Sequence, residues 1–198
     1  LWSRRKFNFS SSFTLTYQAY LGTLDSNGAD GIAAVFHNDP AGINAIGQIG
    51  EGIGAKGIQN GIVLELDTYH NTSSPYDIAN DHGSIWLSKH GPHVPAGVLS
   101  KAVDLGNIED GKWHNVVTTW NYDTLTLSYT VQLGNGSIVT AGTYKFSSID
   151  QLKDIFGGTL EVYYGYTGST GGSRNDQRVK FVDLCSDFPV IRDTDGDG

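Results

Sequence analysis

Between Gly61 and His82, strand-forming residues give way abruptly to ligand atoms: Gly61-Ile-Val-Leu-Glu65-Leu-Asp67-Thr-Tyr69-His-Asn71, then Asp77, Asp81 and His82. Side chains alternate along a strand, so Leu64 and Leu66 face one way while Glu65 and Asp67 share the other face, about 6.5–7 Å apart. Two carboxylates on one face repel each other unless a cation lies between them. Carboxylates, an amide carbonyl and an imidazole on one turning loop form the donor set of a divalent metal site. A Glu-x-Asp pair can also be a solvated strand face, but that reading leaves the Tyr-x-Asn continuation and Asp81-His82 to coincidence.

The surrounding elements have to hold this loop in place. Residues 12–21 alternate Phe13, Leu15, Tyr17 and Ala19 against Thr14, Thr16 and Gln18, a period of two. Short strands are also predicted over 31–36, 62–67, 84–87, 160–166 and 179–184. A hairpin of 113–120 and 124–133 turns at Asn121-Tyr122-Asp123, and Asn135-Gly136 turns the chain again before 137–140. Only 148–156, with Ile149, Leu152, Ile155 and Phe156, has the spacing of a helix. Many strands with no βαβ rhythm predict an all-β fold of two antiparallel sheets packed face to face. Residues 38–60 are glycine-rich, and a stretch of that length without its own elements is usually functional.

The chain has 198 residues, enough for one continuous core, and a net charge of -8. That charge argues against nucleic acid or an anionic membrane as partner, both of which call for a basic patch. No apolar run approaches the roughly 20 residues of a membrane span. The single cysteine, Cys185, has no partner for an internal disulfide and reads as a small core residue. No signal peptide is evident, and folded-looking sequence begins at Leu1-Trp2, as expected of a domain taken from a longer chain. Residues 1–188 read as that domain. Residues 189–198 differ, because Asp193-Thr-Asp195-Gly-Asp197-Gly198 matches the first half of a calcium-binding loop and reads as a linker toward a further module.

Four segments in order resemble the L-type (legume) lectins, specifically the lectin-like modules of bacterial surface proteins. These are Gly28-Ala29-Asp30-Gly31-Ile32-Ala33, Gly52-Ile53-Gly54-Ala55-Lys56-Gly57-Ile58, the 65–71 loop continued by Asp77 and His82, and Gly165-Tyr166-Thr167-Gly168-Ser169-Thr170-Gly171. The Gly111-Lys-Trp113-His114-Asn115-Val116 stretch fits the family scaffold, and the likeness spans roughly residues 10–185. It implies a jelly-roll, concanavalin A-like sandwich that binds glycans or glycoproteins with calcium, outside the cell or on its surface, as in an adhesin.

The resemblance also implies roles. Asp67, the Tyr69 carbonyl, the Asn71 side-chain carbonyl and Asp77 would hold calcium. Glu65, Asp67, Asp77 and His82 would hold a second ion such as manganese, with Asp81 as an alternative ligand to Asp77 or as the group orienting His82. Sugar would meet the Asp30 carboxylate, the Gly54 N–H, the Asn71 amide, the Tyr69 ring and backbone N–H groups around Ser169 and Thr170. A cis peptide is implied between Ala29 and Asp30. Trp113 and Trp120 read as core and sheet-face residues and His114 as a satisfied surface histidine, while His90 and His93 sit in a turn-rich segment where His-x-x-His invites a metal reading but no further ligand is nearby in sequence.

Two other classes compete. Laminarinase-like glucanases carry Glu-x-Asp-x-x-Glu on a strand of a similar sandwich, but His70 stands where the second catalytic Glu is required. Retaining hydrolysis needs two carboxyls about 5–5.5 Å apart, one of them protonated. A spacer or protein-binding module of the same fold would have no use for Asp30 and Asn71.

Overall fold

The computed structural model describes residues 1–182, and these form two antiparallel sheets. The six-stranded sheet runs in the order β1 (Phe7–Asn8), β10 (Glu161–Ser169), β3 (Gly31–His37), β4 (Gly61–Asp67), β5 (Asp81–Leu87), β6 (Val98–Gly106). The five-stranded sheet runs β11 (Arg178–Phe181), β2 (Phe13–Tyr20), β7 (His114–Asn121), β8 (Thr126–Gln132), β9 (Ile138–Lys145). The all-β sandwich expected from the alternation is therefore the fold.

The inner faces meet in one core that includes Tyr17, Phe36, Leu64, Ile85, Val116, Trp120 and Tyr129. Strand β2 behaves as its period dictates, with Leu15, Tyr17 and Ala19 buried. Strands β3 and β4 are buried on both faces, which a two-layer sandwich alone does not explain. The long glycine-rich stretch supplies the missing cover. It lays Ile53 and Ala55 against Ala33, Val35, Val63 and Trp86 on the outer face, with Trp2 packed alongside. Full burial of a side chain the size of Ile53 contributes about 1.5–3 kcal/mol. This small second core roofs the face that carries Glu65 and Asp67.

The helix α1 (Ile149–Ile155) is capped by Ser148, whose Oγ accepts the Gln151 N–H at 3.1 Å, and Leu152 anchors it in the core. Several expectations needed correction. Strand β6 went unread because Ser100, Lys101 and Asp104 break its apolar pattern, and it joins β5 through register shifts. Strand β9 continues to Lys145. Trp120 is fully buried and donates Nε1–H to the Phe9 carbonyl, whereas Trp113 is partly exposed and leans on Tyr20. His114 is satisfied but buried, with Nε2 at 3.1 Å from the Ile108 carbonyl. Residues 183–198, and with them Cys185, the end of the predicted last strand and the acidic tail, lie outside the described residues.

Candidate metal centre and ligand face

Antiparallel register fixes what faces Glu65 and Asp67. Glu65 pairs with Ser84 and Asp67 with His82, so β5 presents a hydroxyl and an imidazole to the two carboxylates. Ser84 Oγ donates to Glu65 Oε1 at 2.5 Å, and Trp86 Nε1–H donates to Oε2 at 2.5 Å. From the opposite sheet, Tyr129 donates its hydroxyl to the Glu65 carbonyl at 2.5 Å. His82 Nε2 lies 3.5 Å from Asp77 Oδ1 and 4.0 Å from Asp67 Oδ2. Two overlapping groups result, Glu65–Asp67–His82 and Asp67–Asp77–His93, each with ligand atoms within 4.8 Å of one another.

The electrostatics call for a cation. Burial, then the neighbouring Glu65 charge, pushes the Asp67 carboxyl well above its ordinary range, and burial raises Glu65 as well. Tyr69 N–H donates to Asp67 Oδ1 at 2.8 Å, and Asn71 N–H to Asp77 Oδ2 at 2.6 Å, which folds the loop back over the strand end. That leaves Asn71 Oδ1 and Asp77 Oδ1 buried without a hydrogen-bond partner. Buried polar atoms are nearly always paired, so orphaned oxygens beside clustered carboxylates fit a hard, oxygen-seeking ion. The Asp67, Asn71 and Asp77 side chains therefore suit calcium.

Asp81 belongs to neither group. Its Oδ2 accepts the Ile108 N–H at 2.7 Å, and burial pushes its pKa up to about 6. Nor does it orient His82, whose Nδ1 is 3.1 Å from the Asn80 carbonyl. Instead Asp81 lines a polar cleft of about 550 Å³ with Asp25, Thr68, Tyr69 and His70.

The loop before β3 lies beside this centre. The Ala29–Asp30 peptide is cis. Asp30 donates its N–H to the Ser169 carbonyl at 3.0 Å and accepts the Thr68 N–H on its own carbonyl at 2.9 Å. It is thereby tied to the residue between the metal-loop groups Asp67 and Tyr69. Gly31 is obligatory, because a Cβ there would stand 2.1 Å from the Leu66 carbonyl. Asp30 is only 5% exposed, its Oδ2 has no hydrogen-bond partner, and burial raises its pKa. A Cβ on Gly171 would lie 3.5 Å from Asp30 Oδ2 and 3.9 Å from the Gly50 Cα, so Gly171 and Gly50 border this carboxylate.

Gly54 does not play the expected part: its N–H already donates to the Gln48 carbonyl at 2.8 Å. The glycine loop meets the Asp30 region through Gly50, whose carbonyl accepts Ser169 Oγ at 3.1 Å. Ser169 is buried and structural in this contact, while Thr170 is exposed. The Tyr69 ring is 42% exposed.

Sequence reasoning missed the residues that prop these loops. Gln177 Nε2 donates to the Ala29 carbonyl at 2.9 Å and to the Ser169 carbonyl at 3.0 Å. Glu109 Oε1 accepts Asn175 Nδ2–H at 2.5 Å and lies so close under Gly28 that a Cβ there would clash. No local spacing signals either contact.

With this geometry in view, comparison with known proteins is decisive. Residues 1–183 match the legume lectin beta-barrel domain. The chain belongs to the L-type lectin family. Among curated relatives of this lectin domain, the pesticidal crystal protein Cry22Aa of Bacillus thuringiensis is 28% identical over 89% of the chain, and the serine-rich adhesin for platelets of Staphylococcus aureus (strain USA300) is 27% identical over 90%. The chain spans only 27% and 8% of those two proteins. The lectin of Bauhinia forficata in complex with GalNAc superposes with a TM-score of 0.71 at 18% identity, over 90% of this chain and 75% of that one. Peanut lectin with a 9mer peptide gives 0.66 at 21% identity, over 86% and 68%. These likenesses establish the lectin fold.

Proposed function

We propose that this L-type lectin domain binds glycans in a calcium-dependent manner, as the recognition module of a secreted or surface-attached bacterial protein. The observation that carries the reading is the set of buried, unpartnered oxygens on Asp30, Asn71 and Asp77. Asn71 and Asp77 belong to the metal loop, and Asp30 is hydrogen-bonded to that loop through Thr68. Asp67, the Tyr69 carbonyl, Asn71 Oδ1 and Asp77 would hold calcium, which supplies a fixed positive charge against these carboxylates. Glu65, Asp67, Asp77 and His82 would take a second ion of the manganese type.

Sugar hydroxyls present donors and acceptors on a small hydrated ring. The Asp30 carboxylate would accept from two of them, and charged acceptors form the stronger bonds. The Asn71 amide would donate while its oxygen faces calcium. The exposed Tyr69 ring would meet the apolar C–H face of the sugar. Gly50 and Gly171 border Asp30, and the exposed Thr170 would stand on the rim.

The domain is read as a binder, not an enzyme. Glu65 is 1% exposed, with each carboxylate oxygen accepting a side-chain donor, which withdraws it from proton transfer to a substrate. One shallow sugar site is weak, and display of several on a surface would supply avidity. Binding to a glycan array in calcium, in EGTA, and by Asp30→Ala and Asn71→Ala tests the reading. Saccharide binding lost in all three alternatives supports it. No saccharide bound in calcium marks a spacer module, and reducing-sugar release from a polysaccharide marks an enzyme.

A further inference from the structure

His93 reaches the metal centre from a separate segment, between β5 and β6, and none of the lectin motifs includes it. Its Nε2 lies 3.6 Å from Asp77 Oδ2, and its Nδ1 lies 3.2 Å from Glu51 Oε2. The His93 side chain is 12% exposed and that of Asp77 fully buried. With Nδ1–H donated to Glu51, the Nε2 lone pair points toward a carboxylate. Two acceptors do not face each other at that range without a proton or a cation between them. Charge-assisted N–H···O bonds run about 2.7–2.9 Å, so 3.6 Å is long for a direct bond. Donors that share one small ion at about 2.0–2.2 Å each naturally stand this far apart. On its other side Asp77 faces His82, whose Nε2 is 3.5 Å from Oδ1, the oxygen without a hydrogen-bond partner.

We infer that His93 is a nitrogen ligand of the site built on Asp67 and Asp77, so that this site accepts a transition ion of the zinc class, with Glu51 orienting the imidazole. The inference rests on the reading of Asp67 and Asp77 as divalent-ion ligands and adds a residue and an ion class to it. Calcium seeks oxygen alone, whereas imidazole with carboxylates suits zinc, cobalt and manganese. Carboxylate–histidine–metal arrangements fix the ring and raise its basicity, and Glu51 stands where that carboxylate belongs. Lys56 Nζ in turn holds Glu51 Oε1 at 2.5 Å. Both residues lie on the glycine loop, Glu51 next to Gly50, so an ion bound by His93 also tethers the loop that flanks Asp30.

The test is titration of the metal-free 198-residue chain with CoCl2, ZnCl2 and CaCl2 by calorimetry, with the visible spectrum of the cobalt form recorded. His93→Ala and His93→Gln, two variants of different size, are expected to lose on the order of 100-fold in Co2+ and Zn2+ affinity, far more than in Ca2+ affinity, and to shift the cobalt bands. Glu51→Gln is expected to lose about tenfold. Cobalt spectra and affinities unchanged in both His93 variants would overturn the inference. That result leaves the calcium-dependent lectin reading intact, because that reading fails on different data: a wild-type chain that binds neither Ca2+ nor glycan.

Discussion

Glu65 and Asp67 could be placed together from sequence because strand alternation forces them onto one face, and the register adds Ser84 and His82 opposite them. What local spacing does not encode is which backbone groups are already spent. The Gly54 N–H is used inside its own loop, and Asp81 is held by Ile108. Gln177 and Glu109 arrive from distant segments with no local signature, and the His90-x-x-His93 spacing showed no further ligand because Asp67 and Asp77 meet His93 only in the fold. Glu109 offers a pH test at this scale. Burial foremost, with Asp81 and Asp25 adding repulsion, raises its pKa to about 7 from an ordinary 4.5, and its Oε2 lacks a partner. The folded state therefore binds this proton more tightly than the unfolded chain. The stability so gained is complete below about pH 4.5 and is lost as the pH rises through 7. Glu109→Gln keeps the neutral shape. In calcium-saturated samples its melting temperature should exceed that of wild type at pH 8 by about 2–8 °C, for a gain of about 1–2 kcal/mol, and match it near pH 4.5. A wild-type advantage at pH 8 would show that the carboxylate stabilises the loops.

The elements divide by how local their cause is. The β7–β8 hairpin, β2, β4 and α1 follow from short-range periodicity and turn residues, and the sequence places them to within a few positions. Strand β6 does not, because it is an edge strand whose Lys101 and Asp104 face solvent and whose pairing is interrupted. The glycine-rich stretch was legible as a long segment with a purpose but not as a roof, since that role depends on the apolar outer face it covers. Ile53 is its anchor, fully buried although its φ is +47°. Ile53→Ala should cost about 2–5 kcal/mol. Hydrogen exchange should show amides of residues 47–57 losing protection before those of β3 and β4, whereas uniform loss across the sheet would mean that the stretch is not a separate unit.

For the molecule as a whole, class and architecture were readable because alternation, turns and the scarcity of helix leave few alternatives to a sandwich. The family was readable from four motifs in order, even though solved relatives such as peanut lectin share only 21% identity. Identity that low shows the fold alone, so on the proposed reading sugar preference would lie in the loops around Asp30, Tyr69 and Thr170 and not in the sheets. Global stability should depend on the ion, because an ion that binds only the folded state stabilises it by about 2.7 kcal/mol at 100 times its Kd. For a domain of this size calcium should raise the melting temperature by roughly 5–10 °C and EDTA should reverse the gain. A melt indifferent to both would mean that the carboxylates of the metal loop do not bind calcium.

The central claim, that an ion held by the loop after β4 shapes a sugar site around Asp30, is tested most directly by crystals grown in calcium and soaked with monosaccharides. The account predicts one ion shared by Asp67, the Tyr69 carbonyl, Asn71 and Asp77, with sugar hydroxyls on the Asp30 carboxylate. A saturating calcium concentration that leaves those four groups without an ion, or a sugar seated away from Asp30, would contradict it.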